Sequence, residues 1–277
     1  MRVGTGDVMI RIATFNILNG RTQHDHDVDV AVLQDAVAEL APDVLALQEV
    51  DHLQHRSGRA DLTALAADAM GAPHHRFVAA LAGSPGATWT AATGDEHPDD
   101  AAYGIALLSR FPVAGWEVMR LPAPRTRVPM RFPGRTLPTW VRDEPRVAVA
   151  AEVRTPAGPL TVANTHLSFV RWWNGRQLTR LMGALRGSTR PLIVTGDLNM
   201  ELDRAARLTG LQPLAAHPTF PADDPVEQLD HVLADPALPA SSQAWRMRLS
   251  DHRALVVDVD LAAASRRTPA PRRTPPG

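Results

Sequence analysis

The sequence predicts a layered α/β protein with mixed sheets, and three observations carry that expectation. Short apolar runs rich in Ile and Val, such as the one that opens LIVTGDLNM at Leu192, alternate with stretches of helical spacing such as Val30 to Leu40. Strand-like runs joined by short turns occur in both halves, which argues against a purely parallel sheet. Finally, acidic, amide and imidazole groups recur at strand exits, where open α/β architectures place their chemistry.

With 277 residues, 44% of them hydrophobic, the chain can bury a large core, and no linker divides it. A net charge of −1 lacks the basic excess expected of a protein that holds long nucleic acid, although a local basic patch stays open. All 29 basic residues are Arg, which together with the many Ala and Pro reads as codon usage in a GC-rich genome. No Cys is present, so a metal would be held by oxygen and nitrogen, favouring Mg²⁺, Mn²⁺ or Ca²⁺. The first residues lack a secretory apolar region and no stretch is long enough to span a bilayer, so a cytoplasmic monomer is expected. Residues 1–9 read as an extension and 262–277, basic and Pro-rich without periodicity, as a disordered tail, leaving a domain from 10 to 261.

In order, Met9 to Phe15 alternates as a strand and delivers Asn16. The His/Asp-rich stretch holding His24, Asp25, His26, Asp27 and Asp29 imitates a metal cluster, but consecutive side chains diverge and the composition suits a solvated loop. Val30 to Leu40 is a helix ended by Pro42, and Val44 to Leu47 a strand from which Gln48 and Glu49 emerge. A carboxylate there should have a cationic partner. Asp61 caps a helix that runs to Met70 and stops at Gly71. Residues 83–102 read as an exposed loop, Tyr103 to Ser109 as a strand, and Pro112 to Met119 as its hairpin partner.

From Arg120 to Arg146 runs an irregular, Pro-rich insertion with seven arginines, readable either as a phosphate clamp or as a solvated loop. Arg146 to Arg154 and Leu160 to Asn164 form a hairpin that exits through His166. Trp172 and Trp173 open a helix to about Leu185, and either could stack on a substrate or simply pack the loop down. Leu192 to Met200 is the organising stretch. Alternation there sets Asp197 and Asn199 to one side and Leu198 to the other, although the tetrapeptide alone reads equally well as an Asx-turn. A short helix from Glu201 to Leu208, a strand from Gln228 to Leu233 carrying Asp230 and His231, and a last strand from Ala254 to Leu261 entered through Ser250-Asp251-His252 complete the domain.

Taken together and in this order, ATFNIL, LQEVD, YGIALLSR, NTHLS, VTGDLNM, QLDHVL and LSDHRAL resemble the endonuclease/exonuclease/phosphatase superfamily, from about Ile10 to Leu261. That resemblance implies a four-layer α/β sandwich of the DNase I type, two mixed sheets face to face with helices outside. It also implies a divalent-metal-dependent phosphoesterase acting by in-line attack of water. Glu49 would be the main metal carboxylate, helped by Asn16 and Asp251, with Mg²⁺, Mn²⁺ or Ca²⁺ as the ion. Asp197, oriented with Asn199, would activate the water; His252, held by Asp230, would touch the scissile phosphate; His166 would serve as general acid near the leaving group; and Tyr103 would donate to a phosphate oxygen. Arg125, Arg127, Arg131, Trp172, Trp173 and Arg176 are the candidate substrate contacts. The histidine at 166 fits the DNase I, sphingomyelinase and phosphatase branches better than the abasic-site enzymes. A nuclease of the same superfamily and a non-catalytic binding protein on this fold are the alternatives.

Overall fold

The computed structural model describes residues 9–22, 28–130 and 138–262. Its first half contains β1 (Met9–Asn16), α1 (Val30–Leu40), β2 (Val44–His52), α2 (Leu62–Met70), β3 (His74–Gly83), β4 (Trp89–Ala91), β5 (Ala102–Ser109), β6 (Val113–Leu121), β7 (Val128–Met130) and β8 (Thr139–Val141). The second contains β9 (Arg146–Thr155), β10 (Gly158–His166), α3 (Arg171–Ala184), β11 (Leu192–Asp197), α4 (Leu202–Thr209), β12 (Gln212–Pro213), β13 (Asp230–Asp235), β14 (Ala240–Trp245) and β15 (Ala254–Asp260).

These strands build a seven-stranded sheet, ordered β14-β15-β1-β2-β5-β3-β4, and a six-stranded one, ordered β12-β13-β11-β10-β9-β6. Each sheet is mixed in the same way. β1 and β2 run parallel through the crossover helix α1, and β10 and β11 run parallel through α3, while the neighbours on either side are antiparallel. Because both faces of the central strands are covered, they read as continuous apolar runs. Ile10, Ile12, Val44 and Ala46 meet Val149, Val162, Ile193 and Val232 between the sheets. Phe15, Leu45 and Leu47 face outward onto Leu33, Val37 and Leu62 of α1 and α2, and Val194 and Leu192 face Leu178 and Leu181 of α3. Helices, sheet, sheet and helices make the four-layer sandwich.

This arrangement determines where a site can form. A parallel pair brings two C-terminal strand ends side by side, and an antiparallel neighbour brings its N-terminal end to the same place. Asn16, Glu49, His166 and Asp197 therefore share one end of the sandwich with the starts of β13 and β15, which carry Asp230 and follow His252.

Several expectations about local structure are corrected. β6 does not pair with β5; it crosses to the second sheet and pairs with β9. Residues 83–102 hold β4 and the end of β3, the insertion holds the β7–β8 hairpin, and the strand expected from Gln228 begins at Asp230. Asp29 caps α1, accepting from the backbone N–H of Ala31 and Val32. His24, Asp25, His26, Asp27, the extension through residue 8 and the tail from 263 lie outside the described residues. Among the described residues no helix is long and apolar enough to cross a membrane.

Candidate active site

β2 makes the site's first device. Its register against β5 slips between Leu47 and Val50, so β2 carries one residue more than its partner, a β-bulge. Glu49 sits in this bulge with φ of 56°. A left-handed conformation at a non-glycine residue costs about 1–3 kcal/mol and persists only where its surroundings enforce it. Here the surroundings are the buried amides of Gln48 and Asn164. Asn164 reaches across from the second sheet and donates to the carbonyls of Leu47 (2.9 Å) and Ala106 (2.8 Å), while Gln48 donates to Asn164 Oδ1 at 2.7 Å.

β11 makes the second device. Gly196 has φ of 129°, and a Cβ there would lie 1.9 Å from the Thr165 carbonyl oxygen, so only glycine lets β11 approach β10 this closely. The approach brings Asp197, 2% exposed, beside His166. Asp197 Oδ1 accepts the Asn199 N–H at 3.0 Å. Its other oxygen, Oδ2, is a point of convergence: Asn16 Nδ2 donates to it at 3.1 Å, His166 Nε2 lies 3.5 Å away and His252 Nε2 3.9 Å away. Asn16 Nδ2 also donates to Glu49 Oε1 at 3.1 Å, so a single amide links the two carboxylates.

The two histidines differ in state. His252 Nδ1 is 2.8 Å from Asp230 Oδ2, and the imidazole packs on Phe220 with ring centroids 5.0 Å apart. Burial pulls its pKa down, but the Asp230 charge and hydrogen bond, followed by the charges of Asp197 and Asp251, outweigh this and lift it to about 10. His166 goes the other way: burial first, then the charges of Arg146 and His252, hold it well below the ordinary histidine value. A guanidinium can only donate, so Arg146 Nη1, 3.3 Å from His166 Nδ1, leaves the single imidazole proton on Nε2, toward Asp197. Burial, then the Asp230 charge, raises Asp197 to about 7, against the opposing His252 charge and the hydrogen bonds from Asn16 and Asn199.

Glu49 is half-buried, and burial outweighs the Asn16 hydrogen bond to raise its pKa, with the Asp251 charge adding to the rise. The cationic partner expected for it is not present as an ion pair among the described residues; Arg146 and His252 act on it only through their charges. Two half-buried carboxylates, Glu49 and Asp251, with no thiolate in the chain, are a donor set that fits a hard divalent ion. Asp197, Asp230 and His252 also present ligand atoms within 4.8 Å of one another. That group is already knit together by hydrogen bonds: Asp230 Oδ2 lies 2.8 Å from His252 Nδ1, and the two Asp197 oxygens accept from Asn199 and Asn16.

Other expected site residues are placed as follows. Asn199 adopts φ of 50°, which breaks the alternation, and its side-chain Nδ2 donates to the Leu167 carbonyl at 2.9 Å. Asn16, expected to bind metal through oxygen, has Oδ1 accepting from the Leu18 N–H and turns its nitrogen toward the carboxylates; one lone pair on Oδ1 stays available. Tyr103 is half-buried, 5.8 Å from the Trp89 ring and beneath the Arg56 guanidinium, with burial and then the Glu49 charge raising its pKa well above the usual phenol value. Trp173 donates to the Pro122 carbonyl and so packs the insertion down, whereas Trp172 is exposed. Arg176 lies over both indoles, Arg125 and Arg127 are exposed, and Arg131 lies outside the described residues.

Three site residues escaped the sequence reading. Arg146 was only one of seven arginines in the insertion, yet it opens β9, the antiparallel neighbour of β10, and so reaches the same end as His166. Asp51 and Arg56 form a bidentate pair, at 2.8 and 2.6 Å, behind Tyr103.

A family model described as "Endonuclease/Exonuclease/phosphatase family" matches residues 13–252. Among solved structures, the chain is similar to an endonuclease/exonuclease/phosphatase from Beutenbergia cavernae, with a TM-score of 0.66 and 20% identity over 91% of this chain and 71% of that one. It is also similar to a mannosyl-6-phosphatase from Bacteroides thetaiotaomicron (TM-score 0.57, 15% identity, 90% and 99% covered). A further likeness is to sphingomyelinase C from Streptomyces griseocarneus (TM-score 0.56, 16% identity, 91% and 99% covered). No curated protein sequence matches the chain. At these identities the structural likeness speaks for the fold.

Proposed function

Because this chain belongs to the endonuclease/exonuclease/phosphatase family, we propose that it is a divalent-metal-dependent phosphoesterase that hydrolyses a phosphomonoester or phosphodiester by in-line attack of an activated water. The observation that carries the proposal is the convergence on Asp197 Oδ2 of donors from both sheets: Asn16, His166 and His252.

Glu49 and Asp251, with the spare lone pair of Asn16, would hold the ion, Mg²⁺ or Mn²⁺ and secondarily Ca²⁺, which when bound supplies positive charge to the phosphate oxygens. Asp197 takes the proton of the attacking water, its basicity tuned near neutrality by burial and Asp230. The Asn199 N–H on Oδ1 fixes the carboxylate plane, leaving Oδ2 as the base. His252, kept as imidazolium by Asp230, donates from Nε2 to the developing negative charge on the phosphorus oxygens. His166 is neutral, so it acts as a hydrogen-bond donor from Nε2 in place of the general acid that the family resemblance implies. Tyr103, a neutral phenol, is a further donor at the cleft side.

The mannosyl-6-phosphatase and the sphingomyelinase similar to this chain support phosphoester chemistry on such a fold while pointing to different substrates. The test is hydrolysis of an aryl phosphodiester and an aryl phosphomonoester with Mg²⁺ or Mn²⁺. Turnover should be abolished by chelator and lost in Asp197→Ala and His252→Ala with the far-UV spectrum unchanged. Turnover that survives chelation, or that persists in both variants, refutes the proposal.

A further inference from the structure

Beside the catalytic cluster lies a cleft of about 820 Å³ whose walls come from β4, the start of the insertion and the approach to β9. Its floor is apolar, with Leu81, Trp89, Pro122 and Pro124, and five arginines border it: Arg120, Arg125, Arg142, Arg146 and Arg180. Among the described lining residues only two carboxylates face them, and both are engaged. Asp143 accepts from Ser168 Oγ at 2.5 Å and pairs with Arg146, and Glu144 accepts from the Trp89 indole at 3.1 Å. Among the described residues Arg120, Arg125, Arg142 and Arg180 form no ion pair. In a chain whose acids and bases nearly cancel, this is a local excess that arginine usage alone does not produce.

Arg146 joins the cleft to the chemistry. It is 7% exposed, its Nη1 faces His166, its Nη2 lies 3.7 Å from Asp143, and its Nε is buried with no partner among the described residues. An unpartnered guanidinium N–H at that depth is an unmet requirement for an acceptor. On the other side, Trp89 stands 5.8 Å from Tyr103, so its indole continues the cleft floor to the site.

We propose that this cleft seats the non-reacting part of the substrate, and that this part is a flat apolar body carrying a second anionic group. The substrate class is then a small, doubly anionic phosphate ester of nucleotide-like build. This deepens the phosphoesterase reading and rests on it. The volume suits one small molecule, since ligand pockets run at about 300–1,000 Å³, whereas a nucleic acid strand needs an extended groove. Arginines around an apolar floor match planar anions bidentately while the indole covers the flat body.

The test uses the full chain in chelator, so that nothing turns over, with adenosine 3′,5′-bisphosphate and adenosine 5′-monophosphate as calorimetric probes. A second anion held by charge-assisted hydrogen bonds should make the bisphosphate bind about tenfold tighter or more. In the double variant Arg142→Ala/Arg180→Ala, both exposed positions, that ratio should fall to about twofold or less. Equal affinities in the wild type, a ratio that survives the double variant, or a single-stranded oligonucleotide displacing the bisphosphate with higher affinity would each overturn the proposal. Hydrolysis of p-nitrophenyl phosphate and bis(p-nitrophenyl) phosphate by the wild type, run in parallel with Mg²⁺, keeps the two readings separate: turnover of either without bisphosphate selectivity removes only the cleft, and selectivity without turnover of either removes only the hydrolase.

Discussion

Replacing Asp230 by Asn should move the upper limb of the pH–rate profile while leaving the fold in place. The amide keeps an acceptor for His252 Nδ1, now at 2.8 Å from Asp230 Oδ2, but removes the charge that outweighs burial. His252 then falls from about 10 toward its ordinary 6.5 or below, since desolvation is the largest influence on it. At pH 8 a histidine titrating at 6.5 is about 3% imidazolium, so turnover should drop about 30-fold, whereas at pH 6.5 the loss from His252 is at most about twofold. The Asp230 charge is also the second cause of the raised Asp197 value of about 7, so the lower limb should shift to more acid pH as well. The assay is hydrolysis of an aryl phosphodiester at fixed Mg²⁺ from pH 5 to 10, with the His252 ring proton titrated by NMR in the same variant. A rate loss constant across that range, or a His252 that still titrates near 10, would refute the reasoning. Either result would mean that the dyad does not set the charge of the imidazole.

Three other outcomes follow from the same geometry. Asn164→Ala strands the carbonyls of Leu47 and Ala106 at about 1–3 kcal/mol each, so urea unfolding should show a loss on the order of 3 kcal/mol, with weaker Mg²⁺ affinity as the bulge under Glu49 loosens; unchanged metal affinity would disconnect the amide from Glu49. Gly196→Ala puts a methyl into the Thr165 carbonyl at a φ of 129°, and should cost several kcal/mol or prevent folding, which a wild-type urea midpoint would contradict. In chelator, thermal stability should fall as pH rises: His252 is raised, so its contribution is complete below 6.5 and gone above about 10, and Asp197 is a raised acid that holds its proton longer in the native state and weakens it between 3.8 and about 7. A melting temperature that climbs between pH 7 and 9.5 would reverse the assigned signs.

Periodicity made the central strands and α1 and α2 legible, down to Asp61 as cap and Gly71 as stop, because their positions are buried on defined faces. It could not supply partners. VAGWEVMRL alternates well enough to be a strand, but a strand pattern specifies faces and not neighbours, so the pattern alone suggests a hairpin with β5 where β6 pairs with β9. β3 and β14 escaped for a different reason: HHRFVAALAG opens with exposed polar residues and ASSQAW lies at a sheet edge, where little apolar patterning is required. At the site, polar groups on strand exits were visible as residues, while their orientation was not. The left-handed turns at Glu49 and Asn199 rotate side chains away from the direction simple alternation assigns. Arg146 depended on the register of β9 against β10, which no local signal in RVAVAAEVRT encodes.

The charge inventory at the strand ends connects stability with the proposed chemistry. Four carboxylates, Glu49, Asp197, Asp230 and Asp251, face two cations, the His252 imidazolium and the Arg146 guanidinium, because Arg146 and burial together keep His166 neutral. The surplus is negative and poorly hydrated, and it shows in the raised values of both Glu49 and Asp197. A proton could relieve it, but a protonated Asp197 is no base. A hard divalent ion held by Glu49 and Asp251, as proposed, would relieve it without consuming the proposed base, because Asn16 Nδ2 donates to both Glu49 and Asp197 and keeps the two carboxylates apart on one amide. On the proposed chemistry, the left-handed backbone at Glu49 and the buried acids are conformational and electrostatic costs that binding of a cation and an anionic substrate would offset.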